Sequence, residues 1–578
     1  MINNIESIMI IPAVALLLTL AACSQAVEKP VAPSAPSGPS EPAEPTTPTP
    51  TEPSDPRVET INPQGAALSN EIYTLELGTS SAEVFVISTN TTISDVYPTI
   101  ERLDSGQQRV EQISQPRPSV SLPGPEPAWF RELQLPPLQR AVGSADQRQR
   151  IAYAQSQIAV GERFVFTEQR DNEELVRVPA TVRKVVRAGA LTLAVWVADQ
   201  EWWATCGAVG QCLTQEMVDA LATRFLRPGA NNDIYDWVTT IFGAPWGPHT
   251  YSDLIPAEAA DQIHILFLDI EDDGYEGRWA GSYNFTHNFL RDPASAERLI
   301  FFMDSVFLSI PEGPTWEVTD PDPSDMINTL AHEFQHMIHF YQKEIVNELP
   351  SNETWLNEMA SEVTEDLIAD RMKVSGPRGV AYNDPTAGAP GNTNGRLPLY
   401  NYWNEVQVTT WDGERTNYSI TYALGAYLAR NYGGAALFRE IVQNDSSGVA
   451  AVEAALATLG HDVSFADVLT NWAVANLLSD DTGAPHPYRY NSGTWFTSSV
   501  GGQTFRLGSI DLFNYRYEGE ETDVPYDGPY LYRNLSEFTA DRHPPHSNRY
   551  ATLGRATGTV RLRITASAGN RITVVVKE

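Results

Sequence analysis

The chain has 578 residues, a formal net charge of −34 and a sequence isoelectric point near 4.6. That length is too great for one small core and sets an expectation of roughly two to four domains, while 42% hydrophobic and 10% aromatic residues place it among globular proteins. So acidic a chain lacks the basic footprint that phosphate binding requires, which argues against a nucleic-acid partner and suits a soluble, exported protein.

Taken in order, Ile8–Leu20 is an apolar run too short and too early for a good membrane span, and it reads as a signal peptide. It ends in Leu20-Ala21-Ala22-Cys23, which resembles the bacterial lipoprotein box. The resemblance implies that 1–23 is a signal peptide with its lipobox, that Cys23 is lipidated and becomes the mature N-terminus, and that the protein is a cell-envelope lipoprotein, periplasmic or surface-exposed, touching the membrane only through its lipid. The stretch before the apolar run departs from the usual pattern, with Glu6 and no Lys or Arg, and plain secretion with cleavage near Ala22 is the alternative. Val27–Pro56, within a segment drawn at 24–60, is dominated by Pro, Ser, Thr, Glu and Ala. It cannot bury enough surface to offset its ordering entropy and reads as an extended disordered stalk.

Residues 61–177 read as an N-terminal β-rich domain, or in part a pro-segment, with strands at Ile72–Leu77 and Val84–Ile87 and a long insert over Arg117–Arg150. The texture changes at Val178. Strands over Ala190–Ala198, Ile263–Leu268 and Leu299–Met303 alternate with helices over Thr214–Phe225 and Tyr235–Phe242, as expected of an α/β unit over 178–345. Cys206 and Cys212 form an even pair six positions apart, which reads as a short disulfide loop in an oxidising compartment. Asp269-Ile-Glu-Asp-Asp-Gly274 begins like a calcium loop, but the twelfth position holds Ala280 rather than Glu, and it reads as an acidic turn. Helices at Thr354–Met372, Ile420–Asn431, Ala435–Gln443, Val449–Leu459 and Phe465–Leu478 give a helical unit over 346–484. The β-character of 485–578 suggests an accessory sandwich-like domain, ending in a hairpin of Val560–Ile564 and Ile572–Val576.

The strongest chemical signal is His332-Glu333-x-x-His336. On a helix, residues four apart face the same way, so two neutral imidazoles can share one Zn²⁺ while Glu333 reaches a water on it as general base. Ile327, Leu330, Phe334, Met337 and Ile338 supply the apolar stripe, and Ser324 or Asp325 is the expected cap after Pro321 and Pro323. A metzincin would continue with Gly at 339 and His at 342, but the chain has His339 and Gln342.

His332-Glu-Phe-Gln-His-Met-Ile338, Trp355-Leu-Asn-Glu358 and Tyr418-x-x-x-Tyr422 together resemble the hyicolysin-type zinc metallopeptidases of the gluzincin group, over roughly Ala190–Ser479. The resemblance implies an α+β, thermolysin-like two-lobed core with one catalytic zinc per chain. The gluzincin pattern brings a third ligand from a second helix, here Glu358, 22 residues beyond His336. Asn357-Glu358-x-x-Ser361-Glu362 is similar to the thermolysin-type string, with Glu362 in place of the usual Asp, and implies that Glu362 orients His332. Similarity to aminopeptidase-type gluzincins points to Tyr418 as the donor to the developing oxyanion, with Tyr422 as its rival and the usual Lys-Gly after the tyrosine absent. His339 stands where Asn is expected and reads as a residue that packs or supports the ligands rather than one that binds the metal. The aminopeptidase signature Gly-x-Met-Glu-Asn is missing, so the implied activity is endopeptidase cleavage of protein or peptide substrates lying along an edge strand. A non-catalytic adhesin or binding lipoprotein on a peptidase scaffold is the alternative, and an intact Glu333 counts against it.

Overall fold

The computed structural model describes residues 56–104, 138, 158–170, 172, 174–206, 212–274, 280–349, 353–519, 525–540 and 542–578. The expected lipidation site Cys23, the stalk to residue 55 and the insert over Arg117–Arg150, save for Leu138, lie outside them. Residues 54–578 form one compact unit, mixed α+β in class.

Strands β1 (Arg57–Thr60), β2 (Leu68–Glu76), β3 (Ala82–Asn90) and β4 (Thr99–Arg102) open the chain. A second β-system follows: β5 (Arg163–Gln169), β6 (Leu175–Ala188) and β7 (Leu191–Ala198), then helices α1 (Gln215–Phe225) and α2 (Ile234–Phe242), then β8 (Gln262–Leu268), β9 (Gly281–Ser282) and β10 (Ile300–Asp304). The helical part comprises α3 (Ser305–Ser309), α4 (Pro321–Phe340), α5 (Thr354–Met372), α6 (Leu397–Tyr402), α7 (Arg415–Asn431), α8 (Ala435–Gln443), α9 (Gly448–Thr458) and α10 (Phe465–Leu477). Short strands β11 (Phe496–Val500), β12 (Gln503–Leu507), β13 (Arg516–Tyr517) and β14 (Tyr526–Asp527), the turn α11 (Leu535–Phe538), and β15 (Ser547–Ala556), β16 (Thr559–Ala566) and β17 (Asn570–Lys577) complete it. Among the described residues no helix is long and apolar enough to cross a membrane.

The two ends of the chain build one sandwich. One sheet has the order β1-β17-β3-β15 and the other β2-β16-β4. Between them pack Val84, Val86, Val560, Leu562, Ile564, Ile572 and Val574, the inward halves of alternating strands. The stretches read from sequence as separate N- and C-terminal β domains therefore pair with each other. The expected Val560–Val576 hairpin is also corrected, because β16 joins β2 and β4 while β17 joins β1 and β3. The turn at Gly569, held at φ +80°, carries the chain from one sheet to the other, so alternation predicted the strands but not their partners.

The central sheet has the order β5-β6-β7-β8-β10-β9. It is parallel at β7–β8 and β8–β10, where Leu-Thr-Leu-Ala-Val-Trp-Val-Ala and Gln-Ile-His-Ile-Leu-Phe-Leu are buried on both faces. It begins at β5, earlier than the change of texture at Val178, which falls inside β6. The far edge is β9, antiparallel to β10. Helices α1, α2 and α4 cover one face through Leu221, Ile241, Leu330 and Phe334, and α4 is sandwiched between this sheet and α5. Beyond residue 485, β12 is tied to α5 by Arg371 on Gln503 and Arg506 on Asp370, so it belongs to the helical part rather than to the terminal sandwich.

Helix α4 starts earlier than expected. Asp320 is its N-cap residue and Pro321 occupies the first turn, where the missing N–H of proline is one the helix could not bond anyway. Ser324 and Asp325 lie inside the helix. At its far end the backbone widens into a π-turn over Tyr341–Val346.

Candidate metal centre

Helices α4 and α5 meet at an open cleft of about 1510 Å³. His332, Glu333 and His336 reach it from α4, Glu358 and Glu365 from α5, and Tyr418 from α7. The imidazoles of His332 and His336 are 4.7 Å apart between ring centroids, as four-residue spacing on a helix dictates. Glu358 Oε2 lies 3.2 Å from His332 Nε2 and 3.6 Å from His336 Nε2. Tetrahedral ligands held at roughly 2.0–2.1 Å from an ion are about 3.3–3.4 Å from one another, so these three groups fit a divalent transition metal such as zinc. One oxygen and two nitrogens converge, and all three residues are buried.

The other nitrogen of each ring is engaged. His332 Nδ1 donates to Glu365 Oε1 at 2.8 Å, and His336 Nδ1 donates to Asn357 Oδ1 at 2.9 Å. Ser361 Oγ lies 3.1 Å from His336 Nδ1 and donates to Gln335 Oε1 at 2.6 Å, bracing the ring from below. Protons fixed on Nδ1 leave Nε2 as the metal-facing lone pair. Burial pushes the Glu358 carboxyl up, but the His336 and His332 imidazoles outweigh it and hold the group at about 2. Burial pushes the His332 ring down, yet its hydrogen bonds to Glu358 and Glu365 leave it well above the ordinary histidine value. Burial lifts Glu333 above the usual carboxylate range.

Glu362 does not hold His332. Its carboxylate is taken by Arg396, whose Nη2 approaches Oε1 to 2.6 Å and whose Nε donates to Oε2 at 3.1 Å. Helix geometry explains the correction: residue 365 returns to within about 20° of the Glu358 direction, whereas 362 is about 40° away on the other side. The signal was present in the sequence as a seven-residue step from Glu358, and Asn357 stood beside the ligand in the motif itself. With Glu365→Gln the ring keeps a weaker partner, and affinity for an added divalent metal, read by competition with a chelating dye, is expected to fall roughly 10–100-fold; unchanged affinity would show that the contact does not tune the ligand.

Tyr418 lines the cleft, edge-on to Trp411 at 4.8 Å and under the Arg396 guanidinium at 5.2 Å. Burial keeps its hydroxyl protonated, with Glu358 adding to the effect. Tyr422 turns elsewhere and donates to Asp366 Oδ2 at 3.0 Å. Close approach of α7 to α5 is allowed by Gly425, where a Cβ would lie 2.5 Å from Val363 Cγ2 and 2.9 Å from Met359 Cγ. Across the cleft, β9 lies against the base of the site: a Cβ at Gly281 would meet Glu333 Cγ at 2.9 Å and Oε1 at 3.1 Å. His339 is fully buried with its Nδ1 3.4 Å from Gln335 Nε2, and it does not line the cleft. Cys206 and Cys212 are disulfide-bonded just after β7 and do not line it either.

A helix bearing two imidazoles and a carboxylate base, beside a helix bearing a third donor, is the donor set of a metal-dependent hydrolase. A sequence model of the peptidase M30 family matches residues 173–504, and the chain belongs to that family. It is 27% identical over 227 residues to the neutral metalloprotease ShpI of Staphylococcus hyicus, covering 38% of this chain and 48% of that protein. The chain thus spans about half the length of the curated relative it matches. An M1 zinc metallopeptidase from Deinococcus radiodurans, solved as a mutant with a Tyr-Ser-Ala substrate, is matched at 14% identity over 58% of this chain and 60% of that one. Its TM-score of 0.23 carries no structural argument.

Proposed function

We propose that the protein is a zinc-dependent metalloendopeptidase, with one ion per chain, that hydrolyses peptide bonds of extracytoplasmic proteins. The observation that carries this is the convergence of His332 Nε2, His336 Nε2 and Glu358 Oε2 with Glu333 beside them at the base of an open cleft. When bound, zinc polarises the scissile carbonyl and lowers the pKa of a water toward ~7. The remaining steps belong to side chains. Glu333 takes the proton from the attacking water and passes it to the leaving amine. The Tyr418 hydroxyl donates to the carbonyl oxygen as charge develops there. An extended peptide lies along β9, the last strand of the central sheet among the described residues, whose Gly281 and Ser282 line the cleft. The missing aminopeptidase signature Gly-x-Met-Glu-Asn favours internal cleavage.

The finer reading is of a gluzincin with a thermolysin-like pair of lobes, 178–345 and 346–484, meeting at this cleft. A lipid on Cys23 and the Pro-rich stalk hold it outside the cytoplasm on the cell envelope, with proteins or peptides as its partners and no nucleic acid. Casein hydrolysis by the purified chain lacking residues 1–23 is expected to stop on dialysis against a chelator and to return with about one equivalent of zinc. Hydrolysis that continues in metal-free protein, or an equal metal content in His336→Ala, would overturn the proposal.

A further inference from the structure

The cleft does not end at the metal donors. His336, Phe340 and Glu344 follow at four-residue steps, and all three line it. Phe340 closes the regular helix, and Glu344 sits on the π-turn over Tyr341–Val346, a widened turn of a kind that recurs at functional sites. The walls here are aromatic. Phe340 stacks on Phe285 with centroids 5.1 Å apart and planes 2° from parallel, and Tyr283 lies 6.4 Å from Phe340. Tyr283 and Glu344 both line the cleft, and burial, with a smaller contribution from the Glu344 charge, keeps the Tyr283 hydroxyl protonated.

Among the described residues, none hydrogen-bonds or ion-pairs with the Glu344 carboxylate, and burial alone lifts it to about 8. The adjacent Lys343 does not neutralise it, because its ammonium donates to Asn444 O and Oδ1 at 2.9 Å and to Ser446 O at 2.7 Å on the other side of the turn. Glu344 is half-buried in the cleft wall, and an acid held there without a partner would gain from a cation arriving in the cleft. Aromatic walls ending in a carboxylate suit an alkyl stem with a cationic head, since rings attract cations through their faces.

Distance selects which cation. Eight residues of helix, the last four of them in the widened turn, place Glu344 at most about 12 Å from His336 along the axis. That is too far for the α-ammonium of a substrate whose first bond is cut. An extended peptide advances roughly 3.3–3.6 Å per residue, so a long side chain within two positions of the scissile bond spans the gap. Resting on the peptidase reading above, we propose that Glu344 is a specificity residue that receives a Lys or Arg side chain of the substrate, within two residues of the bond that is cut.

The test separates recognition from turnover. In zinc-loaded Glu333→Gln protein, a fluorescent peptide carrying one Arg should bind roughly 10–100-fold more tightly than the same peptide with citrulline, by anisotropy. Adding Glu344→Gln should shrink that ratio to under about threefold, and Glu344→Lys should favour a peptide with Glu at that position. In parallel, a peptide library cut by the wild-type protein should be enriched for Lys or Arg at one position. Equal or absent binding of both peptides, or a preference that survives Glu344→Gln, overturns the assignment. Discrimination in binding without any cleavage by the wild-type protein would instead overturn the peptidase reading and leave the cation site standing.

Discussion

Glu333→Gln is expected to give a folded, zinc-competent protein whose peptide hydrolysis is slower by about 10²–10⁴-fold. The substitution conserves volume where there is none to spare, since the backbone of β9 at Gly281 lies against Glu333 and Thr329. It leaves the three converging donors untouched, because Glu333 is not one of them. What it removes is the buried carboxylate to which the proposed mechanism gives the proton. Initial rates on casein and on a quenched peptide, beside metal content and melting temperature, check the prediction. A fall in zinc content parallel to the fall in rate would mean that Glu333 acts as a ligand, and an unchanged rate would remove it from the chemistry.

Asp366→Ala should be the most destabilising single change in the helical part, by about 3–5 kcal/mol. Asp366 on α5 accepts from Arg430 Nη2 at 3.0 Å and from the Tyr422 hydroxyl at 3.0 Å, both on α7. The Arg430 guanidinium has no exposed surface, and three more of its hydrogens go to Gly508 O at 2.8–3.0 Å and Ala426 O at 3.0 Å. Without Asp366 an unpaired cation stays locked in the core. Replacing both partners with apolar residues, Asp366→Leu with Arg430→Met, should recover most of the loss. Denaturant titration reads both, and a single-variant cost below about 1 kcal/mol would show that water reaches the guanidinium. Since α5 also carries Glu358 and Glu365, the single variant, loaded with a divalent metal, should release it at lower denaturant than it unfolds.

Much of the site was legible because it is local. His332, Glu333 and His336 are set by helical spacing alone, and Glu358 by a second helix whose bounds, Thr354–Met372, were read without error. Tyr418 was separable from Tyr422 only once α7 was placed, since four residues on one helix share a face and packing decides which points into the cleft. Glu362 was misassigned because sequence similarity fixes a position in a motif, whereas a hydrogen bond is fixed by rotation about the helix axis and by competitors, here Arg396 from a distant loop. Glu344 follows His336 at two four-residue steps, but spacing alone could not place it, since its direction depends on a π-turn that no spacing rule anticipates. The strands were legible by alternation and their partners were not, because pairing across the whole chain leaves no local mark.

The sandwich built from both ends also sets an order of events during synthesis. Asn62 donates to the carbonyl of Asn570 across 508 positions, and β3 lies between β15 and β17. Until the ribosome reaches those last strands, β3 has two unpaired edges and an uncovered apolar face. The cleft-bearing part in between can assemble from shorter-range contacts, so closure of the sandwich comes last and acts as a seal that only a chain extending through β17 can make.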